Sequence, residues 1–281
     1  LYARGEAAGA YSPELGLIRF NRQVVVWDEN LVLLYDDLAA DQPRQFEWLL
    51  QTDARAAIKS AHHYVVLTGE SRLGVNFISP DEMVTRTIEQ EIVAVPTSAE
   101  PDNVLRRAQH TLSISPRNRQ QATRFLAVVT IDGREGEPAQ VERLDCANGL
   151  GARIRPIGRE ILAGFAWDRR YLSSADCFGT DAPWLVSESN PNGQITRLAV
   201  GDCTRTYLDN QLWCAASSPA SFVFREDGWQ VQSSGSTWVS LRVPAQATAV
   251  FGDRVFGSRS TSQMIRLPVP GGISKILLRM K

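Results

Sequence analysis

The sequence between residues 22 and 52 reads RQVVVWDENLVLLYDDLAADQPRQFEWLLQT. Two apolar runs, Val24–Trp27 and Leu31–Tyr35, flank the turn-forming residues Asp28-Glu29-Asn30. A third apolar run, Phe46–Leu50, follows a polar loop. β-Branched and aromatic residues suit a pleated sheet, whereas Asp and Asn tolerate the backbone angles of turns. The stretch therefore predicts three antiparallel strands connected as a meander.

Short strand-like runs of the same kind continue to the C-terminus, for example His63–Thr68, Ala122–Ile131 and Trp184–Glu188. They recur every ~8–15 residues with turn signals between them, which is typical of stacked antiparallel sheets. Only Ser79-Pro80-Asp81-Glu82 has the features of a helical turn. We therefore predict an all-β protein built as a large antiparallel β-sandwich.

The predicted division into domains falls between residues 166 and 167. Residues 1–166 are expected to form the antiparallel sandwich, and residues 167–281 either continue it or form a smaller C-terminal β domain. The glycine-containing segment 132–138 is interpreted as a hairpin tip rather than a domain boundary. Because the chain starts at Leu1 without an initiator Met or a signal peptide, we expect that further sequence preceded it.

Composition excludes two classes of partner from the prediction. The 281 residues include 30 Lys and Arg against 31 Asp and Glu, a formal net charge of −1, so no basic field is present to hold a nucleic acid. Apolar runs stop at about six residues, well short of the ~20 that a membrane helix needs. An anionic substrate would need a local arginine cluster, although a solvated strand face explains such clusters more simply. The dense positions are Arg106, Arg107, Arg117, Arg119, Arg124, Arg153, Arg155, Arg159, Arg169 and Arg170.

Motifs for metal binding or catalysis are largely missing from the sequence. The four cysteines lie between residues 146 and 214 without a CxxC pair or an intervening His, which argues against zinc. A disulfide Cys203–Cys214 or Cys146–Cys177 and buried free thiols are both compatible with the spacing. No phosphate-binding loop or nucleophile elbow occurs. The neighbouring carboxylates Asp36 and Asp37 diverge on a strand, so loop capping is the simpler interpretation. No metal and no cofactor are expected.

Five residues are candidates for saccharide contact. His62 and His63 point to opposite faces of a strand, and one of them is a candidate proton shuttle or sugar contact together with Tyr64. Trp167 and Tyr171 lie close to loops, where flat aromatic rings can present apolar faces to a sugar. Packing in the core is the simpler interpretation of any single aromatic residue.

The order of strand motifs in residues 5–131 resembles the β-sheet region of the heparinase II/III-like polysaccharide lyases. The resemblance rests on Gly5-Glu6 followed by Tyr11, on the strand starting at Arg22, on a strand that ends in Asp36-Asp37, and on Phe46-Glu47-Trp48-Leu49-Leu50 with the later Phe125-Leu126. The family pattern has Gly-Asp where this chain has Gly5-Glu6, and often a His where this chain has Gln51.

The resemblance implies a β-sandwich that follows an α-helical toroid and belongs to an enzyme cleaving uronic-acid-containing polysaccharides by β-elimination. In such lyases a Tyr or His abstracts the C5 proton, and these groups lie mostly in the toroid or in a His-x-His motif that this chain lacks. We therefore assign no catalytic residue here. The expected partners are an acidic polysaccharide and the upstream toroid segment of the same protein, in a periplasmic or secreted setting. The alternative is a non-catalytic carbohydrate-binding or structural β-sandwich module.

Overall fold

The computed structural model describes residues 1–94, 105–168, 171–175, 177–244, 247–257 and 264–280. The chain divides into two compact units, Leu1–Ala139 (unit 1) and Gln140–Lys281 (unit 2). Every pair of neighbouring strands described is antiparallel, and no α-helix occurs within these residues, so the predicted all-β class is confirmed. None of them forms a helix with the length and apolar character of a membrane span.

Unit 1 contains two short 3-10 turns, Ala8–Ala10 and Pro13–Leu15, and two antiparallel sheets. Its described strands are β1 (Tyr2–Glu6), β2 (Leu17–Asp28), β3 (Leu31–Arg44), β4 (Trp48–Thr52), β5 (Ala57–Ile58), β6 (His63–Thr68), β7 (Ser71–Ser79), β8 (Met83–Ala94), β9 (Leu105–Pro116) and β10 (Gln120–Gly133). The larger sheet has the order β1-β2-β3-β10-β7-β6-β5, and the smaller sheet has the order β4-β9-β8. The predicted helical turn at residues 79–82 is absent, because β7 runs to Ser79 and a bend leads directly into β8.

Strands β2 and β3 form the predicted hairpin, with Val25 opposite Leu33 and the turn at residues 29–30. The predicted pairing of the third strand of the meander with β3 is wrong. β4 pairs with β9 in the smaller sheet, where Trp48 lies opposite Ile114. The edge of β3 that a meander would need is occupied by β10 along most of its length, so the chain after Arg44 crosses to the other sheet.

The two sheets of unit 1 pack face to face and enclose one apolar core. The Trp48 ring of the smaller sheet meets the Phe77 ring of the larger sheet edge to face, with centroids 5.0 Å apart. Each large side chain removed from water here contributes about 1.5–3 kcal/mol. Buried members of this core are Ala40, Tyr64, Val66, Val75, Phe77, Phe125 and Ala127 from the larger sheet and Trp48, Leu112 and Ile114 from the smaller one. This stacking confirms the predicted β-sandwich.

Unit 2 is built on one branched antiparallel sheet. Its described strands are β11 (Gln140–Leu144), β12 (Cys146–Ala147), β13 (Gly149–Arg155), β14 (Glu160–Ala166), β15 (Leu172–Ser174), β16 (Phe178–Thr180), β17 (Trp184–Ser189), β18 (Ile195–Leu208), β19 (Gln211–Arg225), β20 (Gly228–Ser233), β21 (Thr237–Arg242), β22 (Ala247–Phe251), β23 (Arg254–Gly257), β24 (Met264–Val269) and β25 (Gly272–Met280). The main path is β11-β13-β14-β17-β18-β19-β20-β25-β22-β23.

The two longest strands of unit 2 produce the branches. β18 pairs with β17 through its first half and with β16 near its end, while β19 pairs with β21 near its start and with β20 near its end. The register between β18 and β19 shifts around Cys203, next to Asp202, whose φ is 49°. Such irregularities bend a strand and increase its twist. On either side of this irregularity β18 and β19 pair with different strands.

Segment 132–138 connects the two units and is not a hairpin tip. β10, which ends there, pairs with β3 and β7 of unit 1, whereas β11, which follows, pairs with β13 of unit 2. The glycines and charged residues that suggested a tight turn belong to a connection between units. The predicted domain boundary, between residues 166 and 167, falls inside unit 2, directly after β14.

Candidate functional site: an arginine-lined groove in unit 1

A groove of about 500 Å³ opens in unit 1 beside β2, β3 and β4. Its aromatic and apolar side chains include Tyr11, Phe20 and Leu49. Tyr11 is 45% exposed and Leu49 53% exposed, so apolar surface faces solvent at the rim. The groove also receives three arginines, Arg22, Arg44 and Arg119. Its lining therefore combines flat apolar surface with cationic hydrogen-bond donors.

One wall of the groove is a continuous row of contacts along β2. Phe20 and Arg22 are two residues apart and share a face of the strand. The Arg22 guanidinium carbon lies 5.6 Å from the centroid of the Phe20 ring, and the Tyr11 ring lies 5.8 Å from the same ring. Arg22 also donates hydrogen bonds of 2.6 and 2.7 Å to the buried carboxylate of Asp36, and this bonding raises the pKa of Arg22. The ion pair between Arg22 and Asp36 therefore fixes the position of Arg22 in this row of side chains.

The other two arginines are less constrained. Arg44 donates a hydrogen bond of 3.4 Å to the carbonyl oxygen of Glu14 and lies 3.8 Å from the Asp41 carboxylate. Arg119 is exposed in the turn between β9 and β10, and its guanidinium makes no ion pair or hydrogen bond with any residue that the structure describes. Both guanidinium groups offer donors in the fork geometry that matches a carboxylate or a sulfate.

Trp48 lines the same groove from β4. Its side chain is 6% exposed, and its indole N–H makes no hydrogen bond within the described part of the chain. A buried donor without an acceptor costs free energy, so such groups are rare in folded proteins. Trp48 thus packs in the core, as the alternation in β4 predicts. Its indole N–H is an unsatisfied hydrogen-bond donor next to the groove.

Asp36 and Asp37 lie within β3 rather than capping a loop, which corrects the simpler interpretation of the pair. They do diverge: Asp36 binds Arg22, whereas Asp37 accepts from Arg19 at 3.0 Å and lies 3.2 Å from Nε of Arg124. Both carboxylates are buried, with 2% and 6% exposure. They are tolerated there because each faces at least one guanidinium. Both carboxylates are therefore engaged in ion pairs within unit 1.

Three of the five predicted contact residues lie at the start of β6. Tyr64 is fully buried, and its hydroxyl donates to the carbonyl oxygen of Ala61 at 2.6 Å and lies 2.6 Å from the hydroxyl of Thr85. His62 and His63 are half-buried. Burial, followed by the charges of Lys59 and Arg72, lowers the pKa of His63. None of the three lines the groove.

The other two predicted residues come together in unit 2. Trp167 and Tyr171 are 42% and 41% exposed. Asn148 joins them, because its carbonyl oxygen accepts from the Trp167 backbone N–H at 2.9 Å and its side chain donates to the carbonyl oxygen of Tyr171 at 3.0 Å. Tyr171 also lines an open hollow of about 440 Å³ with Tyr207 and Cys177.

The predicted dense arginines between residues 153 and 170 are paired with carboxylates wherever the structure describes them. Arg155 bridges Glu142 at 2.9 Å and Glu160 at 3.0 Å, and Arg159 donates to Glu188 at 3.1 Å. This pattern is that of a solvated strand face. Arg169 and Arg170, and the side chains of Arg106 and Arg107, lie outside the described residues.

Sequence reasoning missed the groove because its members are scattered along the chain. Tyr11 comes from the loop before β2 and Arg119 from the turn before β10, and only the fold brings them together. One signal was present: Phe20 and Arg22 alternate along a strand, which places an aromatic ring and a cation on one face. No group of three or more His, Cys, Asp or Glu side chains that could hold a metal ion occurs among the described residues.

Comparisons with known proteins gave a likeness to solved structures alone. No protein-family model matches the chain, and no curated protein matches it. Among solved structures, the chain is similar to the chondroitin AC lyase of Streptomyces coelicolor A3, solved in complex with chondroitin sulphate, with a TM-score of 0.48 and 9% sequence identity. The likeness covers 94% of this chain and 33% of that one, so the chain spans about a third of the length of that enzyme.

Proposed function

We propose that this chain is the β-sandwich portion of a polysaccharide lyase that acts by β-elimination on uronic-acid-containing glycans, and that its groove in unit 1 binds the acidic polysaccharide. The chain does not cleave the glycan alone, because the groups that would abstract the C5 proton belong to an upstream α-helical toroid. The setting would be the periplasm or the exterior of the cell. A non-catalytic carbohydrate-binding module is the second candidate.

The observation that carries the proposal is the composition of the groove. Three arginines face it against two carboxylates, Asp36 and Glu47, and Asp36 is already neutralised by Arg22. The guanidinium of Arg119 makes no ion pair with any described residue, so all of its N–H donors can bind an anion. The exposed Tyr11 ring offers an apolar face for the C–H side of a sugar. The groove also lies within residues 5–131, the range of the sequence resemblance to the lyases.

Affinity electrophoresis of the whole chain in gels that contain an acidic or a neutral glycan tests the binding. We expect retardation by uronate-containing glycans only, and loss of most of it in Arg119→Ala and Tyr11→Ala. Arg117→Ala is the matched control. It removes an exposed arginine two residues away that lies 3.7 Å from Glu82 and outside the groove.

Equal retardation of Arg119→Ala and Arg117→Ala would contradict a role for the groove, as would equal retention by neutral glycans. The catalytic part of the proposal has its own measurement, the ultraviolet absorbance of the unsaturated uronate product. We expect no increase with this chain alone. Sustained product formation by the purified chain would show that its own residues abstract the proton.

The second candidate function rests on the pair Trp167 and Tyr171 in unit 2. Both residues are exposed by about two fifths, and the backbone of each is hydrogen-bonded to Asn148, so the two exposed aromatic side chains start from neighbouring backbone positions. A binding module that uses this surface would lose retention in Trp167→Ala and keep it in Arg119→Ala. Absence of retention by any glycan would favour a purely structural β-sandwich.

A further inference from the structure

The thiols of Cys146 and Cys177 each contact a residue on the same face of β13. A Cβ atom placed on Gly151 would lie 2.5 Å from the Cys146 sulfur, so that sulfur rests directly over the glycine. Two residues further along the same face, Arg153 donates a hydrogen bond of 3.3 Å from Nη2 to the Cys177 sulfur. Residues on one face of the strand therefore contact both sulfur atoms, and the absence of a side chain at Gly151 makes the space for that of Cys146.

Cys146 and Cys177 are also connected through Ser174. Cys146 pairs with Ser174 in the ladder between β12 and β15, and the Ser174 side chain hydrogen-bonds the Cys146 thiol. The backbone N–H of Cys177 donates to the carbonyl oxygen of Ser174 at 3.2 Å. Both cysteines are therefore fixed to one residue. Their mutual electrostatic effect contributes to raising the pKa of Cys146, after the larger effect of burial.

Access distinguishes this pair from the other two cysteines. Cys146 and Cys177 are free thiols of intermediate exposure, and Cys177 lines the open hollow beside Tyr171 and Tyr207. Cys203 and Cys214 are also free and lie near each other, but they are 1% and 0% exposed inside the core of unit 2. A reagent in solution can therefore reach Cys177 through the hollow in the folded protein, whereas Cys203 and Cys214 are enclosed by the core.

We propose that Cys146 and Cys177 are an oxidisable thiol pair that closes an intramolecular disulfide in the folded protein when it meets a low-molecular-weight disulfide such as oxidised glutathione. Cys177 reacts first, because it lines the open hollow where a disulfide reagent can reach it, next to the Arg153 guanidinium. The thiolate attacks one sulfur of glutathione disulfide, forms a mixed disulfide, and expels one glutathione thiolate.

The second step completes the exchange. Cys146 loses its proton to solvent, and its thiolate attacks the Cys177 sulfur of the mixed disulfide and expels the second glutathione. One protein disulfide forms, the two thiol protons pass through solvent to the two departing glutathione thiolates, and one glutathione disulfide is thereby reduced to two glutathiones. Burial raises the pKa of Cys146 to about 11, so this step is the slower one and the mixed disulfide precedes it.

The test is intact-mass analysis of the native full chain after incubation with oxidised glutathione, followed by peptide mapping without reduction. We expect a loss of about two mass units, a cross-link between the peptides of Cys146 and Cys177, and two remaining thiols that are alkylated only after unfolding. The Cys146→Ala variant is expected to stop at one glutathione adduct on Cys177. Cys177→Ala is the matched control and is expected to gain no adduct at Cys146.

Three results would overturn the proposal: no mass change in the native chain, a cross-link that involves Cys203 or Cys214, or an adduct in Cys146→Ala at a residue other than Cys177. The double variant Cys203→Ala with Cys214→Ala provides a second measurement. It must still form the Cys146–Cys177 cross-link, because neither buried thiol takes part. The inference is independent of the groove in unit 1 and of the function proposed for it.

Discussion

Arg22 on β2 and Asp36 on β3 form a two-point ion pair in which the partners differ sharply in exposure. The guanidinium donates from Nε and Nη2 to the two carboxylate oxygens, and the side chains are 46% and 2% exposed, respectively. Arg22 can therefore be hydrated without its partner, whereas Asp36 cannot. The two halves of the pair should differ in what their removal costs.

The first prediction concerns this asymmetry. Arg22→Gln leaves a buried carboxylate without a counter-ion and is expected to lower the free energy of unfolding by about 3 kcal/mol. Asp36→Asn leaves a guanidinium that water can reach and is expected to cost about 1 kcal/mol. Urea denaturation measures both values, and the double variant should recover part of the loss of Arg22→Gln. A larger cost for Asp36→Asn than for Arg22→Gln would contradict the interpretation.

The second prediction concerns Gly228 at the start of β20. Its φ is 142°, and a Cβ atom there would lie 2.1 Å from the carbonyl oxygen of Ile276 on the neighbouring β25. Gly228→Ala is expected to lower the free energy of unfolding by about 3 kcal/mol, because backbone must move. The control is Gly235→Ala, which meets no atom within 4 Å and should change stability by less than about 1 kcal/mol. Equal thermal shifts for the two variants would be inconsistent with this close approach.

The third prediction compares two tryptophans of unit 2. Trp229 is 2% exposed, packs against Phe222 and Phe224, and donates from its indole nitrogen to the carbonyl oxygen of Arg242 at 2.9 Å. Trp229→Ala is expected to cost about 4 kcal/mol. Trp238 is 50% exposed and touches the guanidinium of Arg266, so Trp238→Ala should cost less than about 1 kcal/mol. Thermal denaturation followed by circular dichroism ranks the two, and the reverse order would refute the packing described.

The fourth prediction concerns pH. Burial and the charges of Lys59 and Arg72 lower the pKa of His63 below 6.5, its ordinary value. As the pH falls below that value, the unfolded chain takes up a proton that the folded imidazole resists, so His63 destabilises the fold in acid and contributes nothing above it.

His63→Gln removes this proton uptake. Its stability should fall less steeply than that of the wild type between about pH 7 and about pH 5, as measured by urea denaturation at each pH. His62→Gln removes the neighbouring imidazole and keeps His63, so it is the matched variant for the comparison. Parallel curves of stability against pH for His63→Gln and the wild type would contradict the lowered pKa of His63.

Local sequence patterns predicted where the β-strands lie, but they did not predict which strands pair when the partners are far apart in the sequence. The β2–β3 hairpin follows from residues 24–35 alone, because alternation and the turn residues lie within a dozen positions. β4 joins β9, whose residues come more than fifty positions later, and nothing in Phe46–Leu50 identifies that partner. The same apolar run suits either sheet, since the core lies between them.

The candidate site shows the same limit. His62, His63 and Tyr64 stood out in the sequence as a cluster, yet the fully buried Tyr64 hydroxyl is bound to Ala61 and Thr85. The groove depends on Arg119, which arrives through the β9–β10 turn, beside Phe20 and Arg22 on β2. Adjacent positions along a chain are easily seen, whereas adjacency across a sandwich depends on which strands pair.

Every described strand pairs only with strands of its own unit, and segment 132–138 connects the two units along the chain. A backbone amide in β3 is therefore released only when unit 1 opens, and one in β19 only when unit 2 opens. Hydrogen–deuterium exchange should then sort the slowest amides into two populations with separate opening energies. A proteolytic cut between residues 134 and 138, after the last paired residue of β10 and before β11, would leave every described ladder hydrogen bond intact.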